Sequence, residues 1–505
     1  MKFTKALALA LCAIMVLAVL AGCKKNTNTP ADSDAATPDS SNNDVVDTSE
    51  TQTELNDKDT LDTYDFDGRD FNLSVRKATN YEYIVDNSQL MTSVQRQVFT
   101  RNQTIQDRFN IKLKYTETNC NDGHRTEYTT NLGNTMAGLA PHHVLSGHMT
   151  VISPQQYNGY LIDLCSLPEF DITKEWWSEE LYNECNYNGK MYFAVGDIAY
   201  TLYEYLEVMF INESAFERNK VDFDGDIGEF YDMVRDGEWT MEMLILYSTN
   251  YASGLTDVPE DQKEYGLLLN LHSTRAFVAA TEASFELRDG NGEVYLPETP
   301  DTRLSKIIGL IKDNLIGKTN ILAPDTSSDM ASSQNPIFSS GRALFYGQQL
   351  GQAQYFDMTD DYGIVPFPLY DDIQESYHTT IRNSVTAIGV PSNVADEDHT
   401  MIGVIVEALS MYGYQMVTPE YYGNVLSKRL LADVDGQEML KLVRDTFTID
   451  HSLANTFGYG NSHPYSKFKA AIYGEKDFNT IWAESYVALS GQLQIMKDNI
   501  AALDN

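Results

Sequence analysis

The chain predicts an α/β fold of two lobes, and three observations carry that expectation. The first half alternates strand-like and helix-like patterns. Roughly 440 residues follow a polar N-terminal segment, which is enough for two domains or lobes. Beyond that segment Pro and Gly are scattered, so no second linker separates the lobes and their strands must cross between them more than once.

The elements follow in order. Phe71–Val75 alternates at period two and reads as a first strand. Val94, Val98, Ile105 and Phe109 step by helical intervals and predict a helix ending near Asn110, before a strand at Ile111–Tyr115. Pro141 to Leu145 predicts a short buried strand ending in Ser146-Gly147-His148. Alternation of this kind is the grammar of an open sheet with right-handed crossovers. Met191–Val195 and Leu206–Ile211 predict further strands. Asp236-Gly237-Glu238-Trp239-Thr240 reads as a turn and cap entering a helix at Met241–Tyr247, with Trp239 a core residue. Thr302–Asn314 and Thr400–Met416 predict amphipathic helices; Tyr362–Pro366 and Ser384–Val390 predict strands.

The N-terminus carries an address. Lys2 and Lys5 precede an apolar run from Ala6 to Leu20, which is short for a membrane span. The run ends in Leu20-Ala21-Gly22-Cys23, which resembles a bacterial lipobox. That resemblance implies a signal peptide over 1–22, acylation of Cys23 and an anchor on the extracytoplasmic face of the cell membrane. Residues 23–62 are mostly Thr, Asn, Asp, Ser, Pro and Ala, too poor in apolar surface to fold, and predict a disordered tether.

Composition excludes some functions. The net charge of −37 argues against nucleic acid and anionic lipid as partners. No G-x-S-x-G, HExxH or complete phosphate loop is present; Gly317-Lys318-Thr319 and Gly458-Tyr459-Gly460 are fragments of nucleotide motifs. Asp222, Asp224 and Asp226 have the spacing of a calcium loop, but Ile227 and Met233 stand where the loop needs Gly and Glu. His142, His143 and His148 cluster, but adjacent strand residues face opposite ways, so a shared metal is not expected. Cys120, Cys165 and Cys185 fall in the globular part, and Cys165 and Cys185 could pair. The expectation is a chain without enzymatic activity, metal or cofactor.

An ordered set of landmarks then resembles a known family. These are Arg101-Asn102 with Arg108-Phe109-Asn110, Leu161–Leu164 leading to Trp176-Trp177, and Gly189–Phe193 leading to Gly196-Asp197. Next come Phe210-Ile211-Asn212, Asp236–Thr240, and Phe338 with Gly341 and Ala343. Tyr362-Gly363 with Pro366 and Pro368, then Pro419–Tyr422 with Lys428, complete the set. In this order they resemble the family 1 extracellular solute-binding proteins, the group that includes maltose-binding protein; the segment from about Asn455, with Gly458–Pro464, matches more weakly. The resemblance implies a type II periplasmic-binding-protein-like fold with a ligand cleft between lobes. By that analogy lobe 1 spans 65–205 with 360–410, and lobe 2 spans 206–359 with 411–505.

Ligands in open α/β sheets sit beyond strand ends. That rule selects Ser146 and His148, Asp197, Arg382 and Asn383, and Tyr346, Gln348 and Gln349. Sugars need flat aromatic platforms beside planar polar groups, which adds Trp176, Trp177 and Tyr203, with Tyr200 and Tyr205 near the hinge. The expected function is delivery of a small solute, a carbohydrate or oligosaccharide, by a monomer to the permease subunits of an ABC importer. The alternatives are a peptide, polyol or sensing role on the same fold, or a surface glycan hydrolase or adhesin.

Overall fold

The computed structural model describes residue 59 and residues 61–86, 90–120, 125–251, 258–326, 330–426, 434–455 and 463–503. The leader 1–22, Cys23, nearly all of the tether 23–62, Lys428 and residues 456–462 lie outside the described residues.

Two mixed sheets organise the chain. The first runs Thr386–Gly389, Val144–His148, Arg69–Arg76, Ile111–Thr118. Its three early strands are parallel, with Arg69 opposite Ile111 and Leu73 opposite Val144. Thr386–Gly389 closes it antiparallel, Thr386 opposite His148. Parallel strands need a helical crossover, and Ser93–Phe109 supplies the first. Its start is fixed by a reciprocal cap between Thr92 and Gln95, and its end by Asn110 at φ 48°. Val94, Val98, Ile105 and Phe109 are buried along one stripe, as their spacing predicts. Met191–Val195 meets this sheet through one antiparallel bridge, Ala194 to Ile388, instead of a full ladder.

The second sheet runs Tyr362–Val365, Glu207–Asn212, Ala343–Gln349, Tyr265–Leu268, Ile321–Leu322. Tyr362–Val365 pairs antiparallel with Glu207–Asn212, Tyr362 opposite Asn212. That segment therefore belongs to the second lobe, and the return to the first lobe comes after Val365, not at residue 360. Phe210, Phe338, Tyr346 and Phe356 form an aromatic core on this sheet.

Three segments join the lobes. Leu206 bridges Ile381 antiparallel. Thr379–Thr380 pairs parallel with Phe447–Thr448. The helix His399–Tyr412, nearly all of it buried, packs in the first lobe's core beside Ile388 and Val390, and the third joining segment leaves after it toward Phe447–Thr448. No described helix is long and apolar enough to cross a membrane. Cys120, Cys165 and Cys185 are unbridged, with only Cys165 exposed.

Candidate functional site

The crossing strands sort the surrounding side chains by face. Strand residues alternate sides, so Leu206 points one way and Glu207 the other, just after the turn at Tyr205 that ends the helix Thr201–Glu204. On the Glu207 side the ends of both sheets converge. Arg382 donates from Nε to Glu207 Oε1 at 2.5 Å and from Nη2 to Gln348 Oε1. Gln348 donates to the Tyr346 hydroxyl at 2.8 Å, and that hydroxyl donates to Asn335 at 2.9 Å. Asn335 donates to Gln352 at 3.0 Å. A continuous polar chain thus runs from the strand end of the second lobe to the crossing segment.

The first lobe faces this chain with Arg76, whose Nη1 donates to the Ser384 carbonyl at 2.7 Å. Tyr205 senses Arg76, Arg382, Glu82 and Glu204 together, although burial is what raises its pKa most. Three buried polar atoms here have no partner among the described residues: Arg76 Nε, Glu207 Oε2 and Gln349 Oε1. Glu207 and Gln349 are direct cross-strand partners, so their side chains share one face. Buried polar atoms are nearly always satisfied. Such a group of orphans at converging strand ends is what a polar, hydrogen-bonding solute would fill.

Tyrosines border this junction. Tyr81 lies 5.7 Å from Tyr200, and Tyr200 lies 5.4 Å from Tyr421, centroid to centroid. Tyr81 donates to Glu204 Oε2 at 2.8 Å. Burial pushes the Glu204 carboxyl up to about 7, while the Tyr81 hydrogen bond opposes the rise. Glu82 is also raised by burial, but Thr201 N–H at 3.0 Å and the Thr386 hydroxyl at 2.7 Å satisfy its two oxygens.

On the Leu206 side lies a crevice of about 380 Å³, lined by Trp177, Asp197, Tyr203, Thr418, Arg444 and Phe447 among others. Asp197 accepts from the Tyr203 hydroxyl at 2.9 Å and from the Thr418 hydroxyl, and burial pushes it up to about 7. A smaller crevice, of about 270 Å³, holds a His451–Glu286 contact of 2.8 Å.

The residues selected from sequence therefore divide. Arg382, Gln348 and Gln349 meet at the junction, with the half-buried Asn383 beside Arg382. Asp197, Tyr203 and Trp177 line the opposite crevice. Ser146 and His148 are buried at the first sheet; Ser146 donates to the Tyr83 hydroxyl at 2.9 Å, and His148 Nδ1 lies 2.9 Å from the Thr150 hydroxyl. Trp176 and Trp177 are buried and both indole N–H groups donate to Glu407, at 2.7 and 2.9 Å. Tyr346 is fully buried within the aromatic core, so its ring is no open platform, though its hydroxyl serves the polar chain. Arg76 closes the strand Arg69–Arg76 at its carboxyl end, within reach of the strand-end rule though not selected by it, whereas Tyr81, Glu204 and Glu207 lie outside that rule. The signal available for two of them was a pair of glutamates inside the aromatic run from Tyr200 to Phe210.

The Asp222–Asp226 turn is spent locally: Asp222 accepts from the Tyr247 hydroxyl at 2.5 Å, and Asp226 caps the helix Ile227–Arg235. Among the described residues no group of three or more His, Cys, Asp or Glu side chains is placed to hold a metal ion.

No family model and no curated protein sequence matches the chain. Solved structures do. UgpB from Mycobacterium tuberculosis, in complex with glycerophosphocholine, superposes with a TM-score of 0.56 at 12% identity, covering 83% of this chain and 98% of its own. The galacto-N-biose-/lacto-N-biose I-binding protein of an ABC transporter from Bifidobacterium longum, in complex with lacto-N-biose, gives 0.54 at 14% identity, covering 86% and 99%. A family 1 extracellular solute-binding protein from Bifidobacterium longum subsp. infantis gives 0.51 at 13%, covering 84% and 100%. With two sheets, several crossing segments and these matches across most of its length, the chain has the two-lobed α/β fold of the family 1 ABC solute-binding proteins.

Proposed function

We propose that the protein is an extracytoplasmic lipoprotein, anchored through Cys23, that captures a small solute between its lobes and delivers it to the permease subunits of an ABC importer. The solute class is a carbohydrate or oligosaccharide. One observation carries this reading: orphaned polar atoms of Arg76, Glu207 and Gln349 gather where the ends of both sheets meet the crossing strands. Planar donors and acceptors beside tyrosine rings suit hydroxyl-rich molecules. The matched proteins with lacto-N-biose and glycerophosphocholine carry hydroxyl-bearing ligands, which supports the class. Three joining segments permit a hinge that closes on the solute.

The test is a thermal-shift panel of mono- and oligosaccharides, with native mass spectrometry of the purified chain. A solute at about a hundred times its Kd should stabilise the folded form by about 2.7 kcal/mol. A broad panel that shifts nothing, with no carried-over ligand, would end the proposal.

A further inference from the structure

We infer that the solute is longer than one sugar ring, and that its far end seats in the crevice at Glu286, on the same face of the crossing segments as Arg382 and Glu207. This rests on the reading of the lobe junction as the solute site, and it names the size and end chemistry of that solute. Register fixes the face. Paired strand residues point the same way, and neighbours along a strand point oppositely. Leu206 pairs with Ile381 and Thr379 with Phe447, so these four side chains share one face. Thr380 pairs with Thr448, which puts both on the other face, with Arg382 and Glu207. Phe447 lines the crevice of about 380 Å³ on the Leu206 side, and Thr448 lines the one of about 270 Å³ together with Glu286. From the strand of Glu207 to that of Thr448 is two strand spacings, about 10 Å. A single ring does not cover that span.

Both lobes build the crevice. Glu184 precedes the first crossing segment, Glu286 and Arg288 follow it, and His378 and Thr448 sit at the crossing segments themselves. Arg288 closes the crevice across the lobes, donating to the Glu184 carboxylate at 2.7 Å and to its backbone carbonyl at 3.1 Å. The histidines are engaged as well: His378 Nε2 lies 3.3 Å from Glu282, and His451 Nδ1 lies 2.8 Å from Glu286 Oε2. An acceptor is left over. The Glu286 side chain is 5% exposed, and its Oε1 has no partner among the described residues. The buried Thr380 hydroxyl, between Arg382 and this crevice, lacks one too. With Glu207 Oε2 and Gln349 Oε1, four unsatisfied oxygens lie on this side of the crossing segments. Buried polar atoms seldom stay unpaired, and a saccharide presents hydroxyl donors along its whole length. The surplus acceptor at Glu286 calls for a hydroxyl-bearing end there, not a carboxylate or phosphate.

The experiment is titration calorimetry on the full chain, with native mass spectrometry of any solute that survives purification. The probes are glucose against cellobiose and maltotriose, xylose against xylobiose, galactose against galactobiose, and mannose against mannobiose. A hydrogen bond to a charged acceptor is worth roughly tenfold in affinity, so the longer member of the series that binds should exceed its monosaccharide by at least that factor. Glu286→Gln keeps the shape but weakens the acceptor, and should shrink the advantage several-fold. Thr448→Trp fills the crevice from a half-buried position and should bring the advantage to within about twofold. It carries the test if Glu286→Gln does not fold. A monosaccharide that binds as tightly as its longer forms, or a carried-over solute no larger than one sugar, would overturn this inference and leave the junction reading standing. So would a length advantage that both variants leave intact. No binding by any probe, with no carried-over solute, would overturn both.

Discussion

Arg382→Ala should be among the most damaging single substitutions in the protein. Arg382 is 8% exposed and Glu207 2%, so the pair is removed from water. Glu207 Oε1 takes its hydrogen bond from Arg382, and Oε2 already lacks a partner. Truncating the arginine strands a buried carboxylate with neither oxygen satisfied, a loss that typically costs about 3–5 kcal/mol. Gln348 loses its donor as well. For a folded region of roughly 440 residues the unfolding entropy is about 0.9 kcal/mol/K, so the melting temperature should fall by about 3–5 °C. Differential scanning calorimetry reads this directly. Lysine is no substitute, since it cannot address Glu207 and Gln348 with a planar fork. The double replacement Arg382→Met with Glu207→Leu should recover most of the loss, because an apolar pair of similar volume is about as stable as a buried ion pair. An Arg382→Ala protein that melts within a degree of wild type would refute the reasoning.

Three further outcomes follow from the same geometry. Asp197 and Glu407 are both held up to about 7 in the fold by burial, above their unfolded values, so the stability they contribute is fully present below about pH 4 and is lost as pH rises through 7. Urea midpoints should therefore be higher at pH 5 than at pH 8, and the opposite order would contradict the assignment. Trp177→Phe removes one of two indole donors to the buried Glu407 and should cost about 1.5–3 kcal/mol in urea unfolding at pH 8. Gly403→Ala places a methyl 1.8 Å from the Pro168 carbonyl oxygen, a backbone atom that cannot swing away, and should destabilise by about 1–3 kcal/mol or more. Gly423→Ala, with open space around it in a helical segment, is the control and should change stability by at most about 1 kcal/mol, in the stabilising direction.

Local pattern carried much of the fold. The stripe Val94, Val98, Ile105, Phe109 marks a helix whose observed end at Asn110 is where the spacing stops. Thr302–Asn314 is observed with the predicted bounds. What could not be read was pairing between distant segments. Tyr362–Val365 has the alternation of any short strand, and only its register against Glu207–Asn212 assigns it to the second sheet. The candidate junction was legible where a strand end carries a planar polar group, since the structure brings Gln348, Gln349 and Arg382 together there. It was not legible at Tyr346, because the face a strand residue shows depends on which layer packs against it. Glu204 and Glu207 were hidden for another reason: one glutamate among 73 acidic residues gains meaning only from what buries it.

The first sheet closes with Thr386–Gly389 on Val144–His148, strands some 240 positions apart in the chain. During synthesis from the N-terminus, the edge at Val144–His148 stays bare until most of the polypeptide has emerged. A product truncated before Thr386 is thus no smaller version of the protein; its first lobe lacks a wall and exposes a hydrophobic seam to any other nascent chain.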